Sequence, residues 1–295
     1  MRFAFVLISI VPLLSFAGAA SAATQTDMAD CQQMRDIDRS IAGCTNLAMD
    51  QSLDAHDRAI AYLDRGLAYY AKDDLDHAID DWSEAIKLNP DYVHAFNNRG
   101  KAYRAKGDYM NAIADYSQAI KLDPQHAVAY KGRGIAYLLS GDAAKAEADF
   151  QQAEKIEPDL YSLLWLDIAT RRNSQAMDLG PQTTSVNMSS WPAPLLLMYG
   201  GQMTAHDVAV AAQNVDQTVT QARLCDAYFY VGESILLKKD KDQATELFQG
   251  ALRSCTKTVD EYSAAVAELK AMGKPIDAQD VQGAAQGAGP AKPTP

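Results

Sequence analysis

The sequence predicts an all-α fold, a right-handed superhelical solenoid of stacked helical hairpins with an irregular helical insertion, and three observations predict it. Gly66, Gly100 and Gly134 stand 34 residues apart, each inside a near-copy of one segment. Each glycine is flanked by aromatic residues at helical spacing, so glycine and rings share one helix face. Each copy closes on a proline, Pro90, Pro124 or Pro158. A fixed period of this length marks supersecondary units too small to bury an apolar face alone, so neighbours must stack. Stacked units of this kind present surfaces to other proteins, which points to recognition and away from catalysis.

The copies read DRGLAYYAKDDLDHAIDDWSEAIKLNP, NRGKAYRAKGDYMNAIADYSQAIKLDP and GRGIAYLLSGDAAKAEADFQQAEKIEP. In the first helix an aromatic precedes the glycine by four (Tyr62, Phe96, Tyr130) and a tyrosine follows it by three (Tyr69, Tyr103, Tyr137). A glycine costs a helix about 1 kcal/mol, so it signals a second helix approaching closely. That second helix carries Ala78, Ala112 and Ala146, then the rings Trp82, Tyr116 and Phe150, then Ala85, Ala119 and Ala153. Small residues are expected to meet the glycine, with the ring filling the remaining gap. Asp74, Asp108 and Asp142 stand where N-caps belong, and the prolines cannot continue the helix.

This pattern resembles the tetratricopeptide repeat, with nearly every signature position filled from about Ala59 to Pro158. A fourth copy follows at Tyr228, Gly232, Ala244, Phe248 and Ala251, with Asp240 as its cap and Thr256 in place of the closing proline. The segment from about Ala29 to Leu47 reads as a shortened unit. The expected organisation is a signal peptide over 1–22, the shortened helical unit over 23–53 and three repeats over 54–158. An irregular helical segment over 159–223, a C-terminal repeat with a capping helix over 224–273 and a disordered tail over 274–295 complete it.

The leader has one Arg, an apolar run from Phe3 to Phe16 and then Ala20-Ser21-Ala22, which fits a signal-peptidase site. An uncleaved anchor is the alternative, but the run is short for a bilayer and Pro12 interrupts it. No later segment is apolar enough to span a membrane. The expected location is therefore periplasmic, an oxidising compartment in which four cysteines suggest two disulfides. Cys31 and Cys44 are 13 residues apart, the separation of Tyr69 from Trp82, so they should face each other across a hairpin. Cys225 is read as opening the first helix of the last repeat and Cys255 as closing its second, which brings them within reach of each other. Four buried free thiols are the alternative.

After Pro158 the pattern changes to a Leu/Trp helix (DLYSLLWLDIATRR), a polar stretch, the Trp191-Pro192 step and LLLMYGG. A small helix follows, with Thr204 capped against Asp207, then the last repeat and an acidic-aromatic helix, DEYSAAVAELKAMG. This order is similar to the NlpI family of envelope tetratricopeptide lipoproteins and their soluble relatives. The resemblance implies a periplasmic, often homodimeric adaptor that holds peptidoglycan hydrolases and a processing protease together. Two departures stand out: no lipid-acceptor cysteine at the cleavage point, and the apparent cysteine pairs. A chaperone or assembly factor for secreted or surface-appendage proteins is a second reading. An envelope enzyme with an unrecognised site is a third.

One step round the first helix from the core face lies a second stripe, expected to line the concave surface. It comprises Leu63, Leu67 and Tyr70, then Asn97, Lys101 and Arg104, then Lys131, Ile135 and Leu138. In a chain of net charge -11, a basic, amide-bearing centre between apolar walls suits a peptide carboxylate, with Asn97 bonding its backbone. The same net charge argues against nucleic acid. Arg65, Arg99 and Arg133, with Asp81, Asp115 and Asp149 sixteen residues on, read as an exposed ion-pair ladder of little energetic weight. The five histidines lack metal-ligand spacing, Ser162, Ser189 and Ser234 lack a nucleophile-elbow context, and no phosphate-binding glycine loop is present. Neither a cofactor, a metal nor enzymatic activity is expected.

Overall fold

A computed structural model describes residues 22–175 and 190–276. The expected signal peptide up to Ser21, most of the polar stretch before Trp191, with Ser189, and the tail from 277 on lie outside the described residues. Fourteen helices and no strand occur among the described residues, so the fold is all-α. The chain divides into two compact units, the boundary falling between Ala136 and Tyr137.

The first unit contains α1 (Ala22–Gln32), α2 (Ile37–Met49), α3 (Ala55–Ala71), α4 (Leu75–Leu88), α5 (Val93–Ala105) and α6 (Tyr109–Leu122). It also holds most of α7 (Ala127–Leu139). Each of α1 to α5 packs on the next, as stacked antiparallel hairpins require. Asp74 and Asp108 start α4 and α6 by accepting the amides of His77 and Asn111 at 3.3 and 3.2 Å. The helices stop where Asn89 and Asp123 turn extended, one residue before a proline that forbids further helix.

Within a hairpin the glycine and the ring meet directly. A Cβ at Gly66 would lie 2.5 Å from Trp82 Nε1, and its three nearest neighbours all belong to that ring. The Trp82 indole is buried and donates to the Leu63 carbonyl at 3.1 Å, which fixes its tilt. The expectation that small residues meet the glycine therefore holds only loosely, at Gly100. There the Ala112 carbonyl, Asp115 Cβ and Tyr116 Cδ1 would each stand 3.3 Å away. Gly134 is buried in α7.

Close approach also occurs at a glycine outside the repeat signature. At Gly43, a Cβ would come within 2.6 Å of the Asp27 carbonyl, so α2 sits against α1 backbone. The Cys31–Cys44 disulfide joins the same two helices, with Cα atoms 4.5 Å apart.

The second unit contains α8 (Ala143–Ile156), α9 (Leu160–Arg172), α10 (Ala193–Tyr199) and α11 (Ala205–Ala211). It continues with α12 (Gln217–Leu237), α13 (Lys241–Ser254) and α14 (Asp260–Ala271). Its centre is the Trp165 ring, 6.3 Å from Phe150, 5.2 Å from Phe229 and 5.9 Å from Tyr230. Helix α12 packs on α9, α10, α11, α13 and α14, and the phenyl of Phe248 lies 2.9 Å from where a Gly232 Cβ would be. The Cys225–Cys255 disulfide is present with Cα atoms 4.7 Å apart. One detail differs from the sequence reading: Cys225 does not open its helix. Asp216 caps α12 through the Thr218 amide at 2.8 Å, so the helix starts at Gln217 and Cys225 sits two turns inside it. The capping box of Thr204 with Asp207 is complete.

The residue before the caps Asp74, Asp108, Asp142 and Asp240 adopts a left-handed backbone: Asp73 (φ 62), Gly107 (φ 80), Gly141 (φ 93) and Lys239 (φ 69). Glycine takes this conformation freely, whereas a side chain costs roughly 1–2 kcal/mol. Lys239→Gly should therefore raise unfolding free energy by about 1 kcal/mol in urea titrations, and no gain would refute the assignment of strain there. Gly66→Ala must displace a buried indole and should cost about 2–3 kcal/mol. Gly100→Ala, with looser contacts and a helix-propensity gain of about 1 kcal/mol, should be close to neutral.

Candidate binding stripe on the first unit

The arginines before the signature glycines fasten consecutive hairpins. Arg99 donates Nε and Nη2 to Asp115 at 2.8 Å each and Nη1 to Ser83 Oγ, on the preceding hairpin, at 3.0 Å. Arg65 does the same with Asp81 (2.8 and 2.7 Å) and Thr45 (3.0 Å), and Arg133 reaches Ser117 Oγ at 3.0 Å. Each hydroxyl in turn donates to the carbonyl four residues before it, Ile41, Ile79 or Ile113. Each guanidinium also lies over the ring three residues earlier, at 5.3 Å from Tyr62, 5.7 Å from Phe96 and 5.7 Å from Tyr130. The expectation of exposed pairs is corrected: the Asp81 and Asp115 side chains are only 5% and 9% exposed. Burial raises both carboxyls above the usual range, and the guanidinium hydrogen bonds oppose it. The forked, buried pairs join the two helices of one hairpin, and the bond to the hydroxyl sets that hairpin on the preceding one.

The predicted binding residues divide by exposure. Leu67, Lys101 and Lys131 are half-buried at the surface. Leu63, Tyr70, Asn97, Arg104 and Ile135 are buried, and so is Leu138, which belongs to the second unit. The expectation that Arg104 projects toward a ligand is corrected, since only 3% of the residue is exposed. Lys101 Nζ sits 4.9 Å from the centre of the Tyr70 ring, tying the stripe of α5 to that of α3. The Asn97 amide nitrogen approaches Asn98 Oδ1 at 3.4 Å, while its own Oδ1 is buried and accepts no hydrogen bond.

Sequence reasoning missed a polar row beside this stripe. Asp64 lies three residues before Leu67 on the same helix face and is 8% exposed. Burial alone pushes its carboxyl up to about 7, with neither a cation nor a hydrogen bond offsetting it. Its charge in turn raises the Tyr92 phenol, itself chiefly raised by burial. The Tyr92 ring stands 6.4 Å from His94, and His94 stands 5.6 Å from His126. Burial lowers both imidazoles, the mutual repulsion lowers His126 further, and Asp123 opposes the shift at each. The period held a signal: Asp64, Asn98 and Gly132 are equivalent positions, and only one is an acid.

The second unit concentrates its buried charge around α9 and α12. Arg172 Nη2 donates to Glu233 at 2.6 Å and to Glu268 at 2.8 Å. Burial pushes the Glu233 carboxyl up against the pull of that guanidinium. The Asp226 carboxylate accepts from the Tyr161 hydroxyl at 2.9 Å and the Trp191 indole at 2.7 Å. Among the described residues one trio, Cys225, Asp226 and Glu261, brings metal-ligating atoms within 4.8 Å of one another. The Cys225 sulfur is committed to its disulfide, which leaves two carboxylates and no thiolate ligand. No described helix is long and apolar enough to cross a membrane.

Comparison with known proteins agrees with the geometry. A family profile described as "TPR repeat" matches residues 66–104 and 100–141. The chain carries tetratricopeptide repeats. A tetratricopeptide repeat protein from Parabacteroides merdae is similar in fold at 13% identity and a TM-score of 0.56. That similarity covers 84% of this chain and 100% of the other. Shorter tetratricopeptide domains also match. The second such domain of human RPAP3, solved with an HSP70 peptide, is 28% identical, with 39% of this chain and 97% of that one covered at a TM-score of 0.38. The domain of Arabidopsis OM64 is 24% identical, with 40% and 98% covered at a TM-score of 0.39. No curated protein matches the chain.

The raised Asp64 carboxyl makes a stability prediction. Its folded value of about 7 exceeds the reference 3.8, so the folded state holds the proton more tightly. Its contribution to stability therefore declines as pH rises between these values and is flat above them. Asparagine does not ionise, so Asp64→Asn should gain on the native chain across that window, by up to about 4 kcal/mol at pH 8. Urea unfolding at pH 5 and pH 8 measures the difference; an equal gap at both would refute it.

Proposed function

We propose that this protein is a periplasmic protein-binding adaptor whose repeat groove takes a peptide segment of an envelope protein. The observation that carries the reading is a cationic stripe in an acidic chain. Lys101 on α5 and Lys131 on α7 keep partly exposed ammonium groups on neighbouring repeats, in a chain of net charge -11. The two lysines sit on the first helices of adjacent hairpins, which suits a segment carrying carboxylates. Two disulfides and the leader sequence support an oxidising, extracytoplasmic location.

The helix order after Tyr161, similar to that of NlpI-type envelope proteins, favours peptidoglycan hydrolases or a processing protease as partners. Scaffolding is the mechanism: two partners held on one chain meet at a high effective concentration. No chemistry is required of the adaptor itself.

Affinity capture from envelope extract with mass spectrometry tests the reading. Arg104 is unsuitable for charge reversal because a buried glutamate would disturb the fold, so Lys101→Glu with Lys131→Glu is the informative variant. Recovery of a hydrolase or protease should fall at least tenfold. Undiminished recovery would count against the groove, and digestion of peptidoglycan by the purified protein alone would make it an enzyme.

A further inference from the structure

Asp64 is an anomaly on energetic grounds. It is only 8% exposed, yet it takes part in no hydrogen bond or ion pair among the described residues. The buried Asp81 and Asp115 are each matched by a guanidinium, and Asp226 by a hydroxyl and an indole N–H. A buried carboxylate without a partner costs several kcal/mol or stays protonated. An Asn, as at the equivalent Asn98, would avoid that cost with nearly the same shape.

The surroundings indicate what the carboxylate is for. Tyr92, whose phenol lies within reach of the Asp64 charge, makes no hydrogen bond through its hydroxyl. On α5, which touches α3 directly, Asn97 Oδ1 is a second buried acceptor without a donor. A metal ion is a poor fit, because no trio of ligating side chains among the described residues includes Asp64. A mobile, multiply donating cation on a flexible stem fits better, as the head of a lysine or arginine.

We infer that Asp64, with the Tyr92 hydroxyl beside it, accepts a lysine or arginine side chain of the bound peptide. The groove then reads a dipolar motif, a cationic residue at the α3 side and an acidic one toward Lys101 and Lys131. This rests on the peptide-groove reading above and adds the side-chain chemistry of the partner. The carboxylate loses stability in the empty protein and recovers it as a charge-assisted hydrogen bond in the complex.

A random dodecapeptide phage library, panned at pH 8 on the immobilised full chain and on Asp64→Asn, tests it. The native chain should enrich peptides with Lys or Arg at one fixed position. Fluorescence anisotropy with a synthetic selected peptide should then show about a tenfold loss on Asp64→Asn. Replacing the peptide's cation by Met should cost about tenfold on the native chain and nothing on the variant, the coupling a direct contact requires. Enrichment of peptides without a fixed cation, or equal affinity for both proteins, overturns the inference and leaves the groove reading standing. If neither protein enriches any peptide, the groove reading fails and the inference with it. Thermal melts of Asp64→Asn establish that the variant is folded.

Discussion

The contact on which the repeats depend is an aromatic ring laid on a helix that lacks a side chain at that point. Trp82 on Gly66 and Phe248 on Gly232 bring two helices closer than any Cβ would permit. The gain is dense packing without polar cost, because the Trp82 indole finds the Leu63 carbonyl. Small residues at Ala78, Ala85, Ala112 and Ala119 keep the rest of the interface thin and are fully buried. Once the hairpin closes in this way, both flanks of each helix pair are apolar and the next hairpin must cover them.

Packing alone would leave the hairpins free to slide, and the arginines prevent this. The Arg65 and Arg99 guanidinium groups are each held on three sides, by an aspartate, by a hydroxyl of the preceding hairpin and by a ring of their own helix. The fork fixes the guanidinium inside its own hairpin, so a slide of one hairpin on the next would break the bond to the hydroxyl. The inner stripe inherits its spacing from this arrangement. Against that background of matched charge, the buried Asp64 has no guanidinium of its own.

The second unit solves the same packing problem without a period. Trp165 gathers rings from two other helices, α8 and α12, and Arg172 joins α9 to α12 and α14 through two glutamates. Neither arrangement follows a fixed sequence offset. The two disulfides bind neighbouring helices within each unit, Cys31 to Cys44 and Cys225 to Cys255.

The periodic features were determined by the sequence itself: the hairpins, the aspartate caps, the proline stops and the faces that carry glycine and ring. They depend on residues a few positions apart, and helix geometry converts such spacing directly into a shared face. Tertiary structure alone decided burial. Arg104 matches Lys101 in charge and stripe, yet it is enclosed while Lys101 stays at the surface over Tyr70. Asp64 looks in the sequence like any solvated acid, and only its distance from every cation marks it. Cys225 lies inside α12 because Asp216 caps the helix two turns earlier than the repeat pattern suggests. Exposure and charge pairing are set by which distant segments pack together, and no local spacing encodes that.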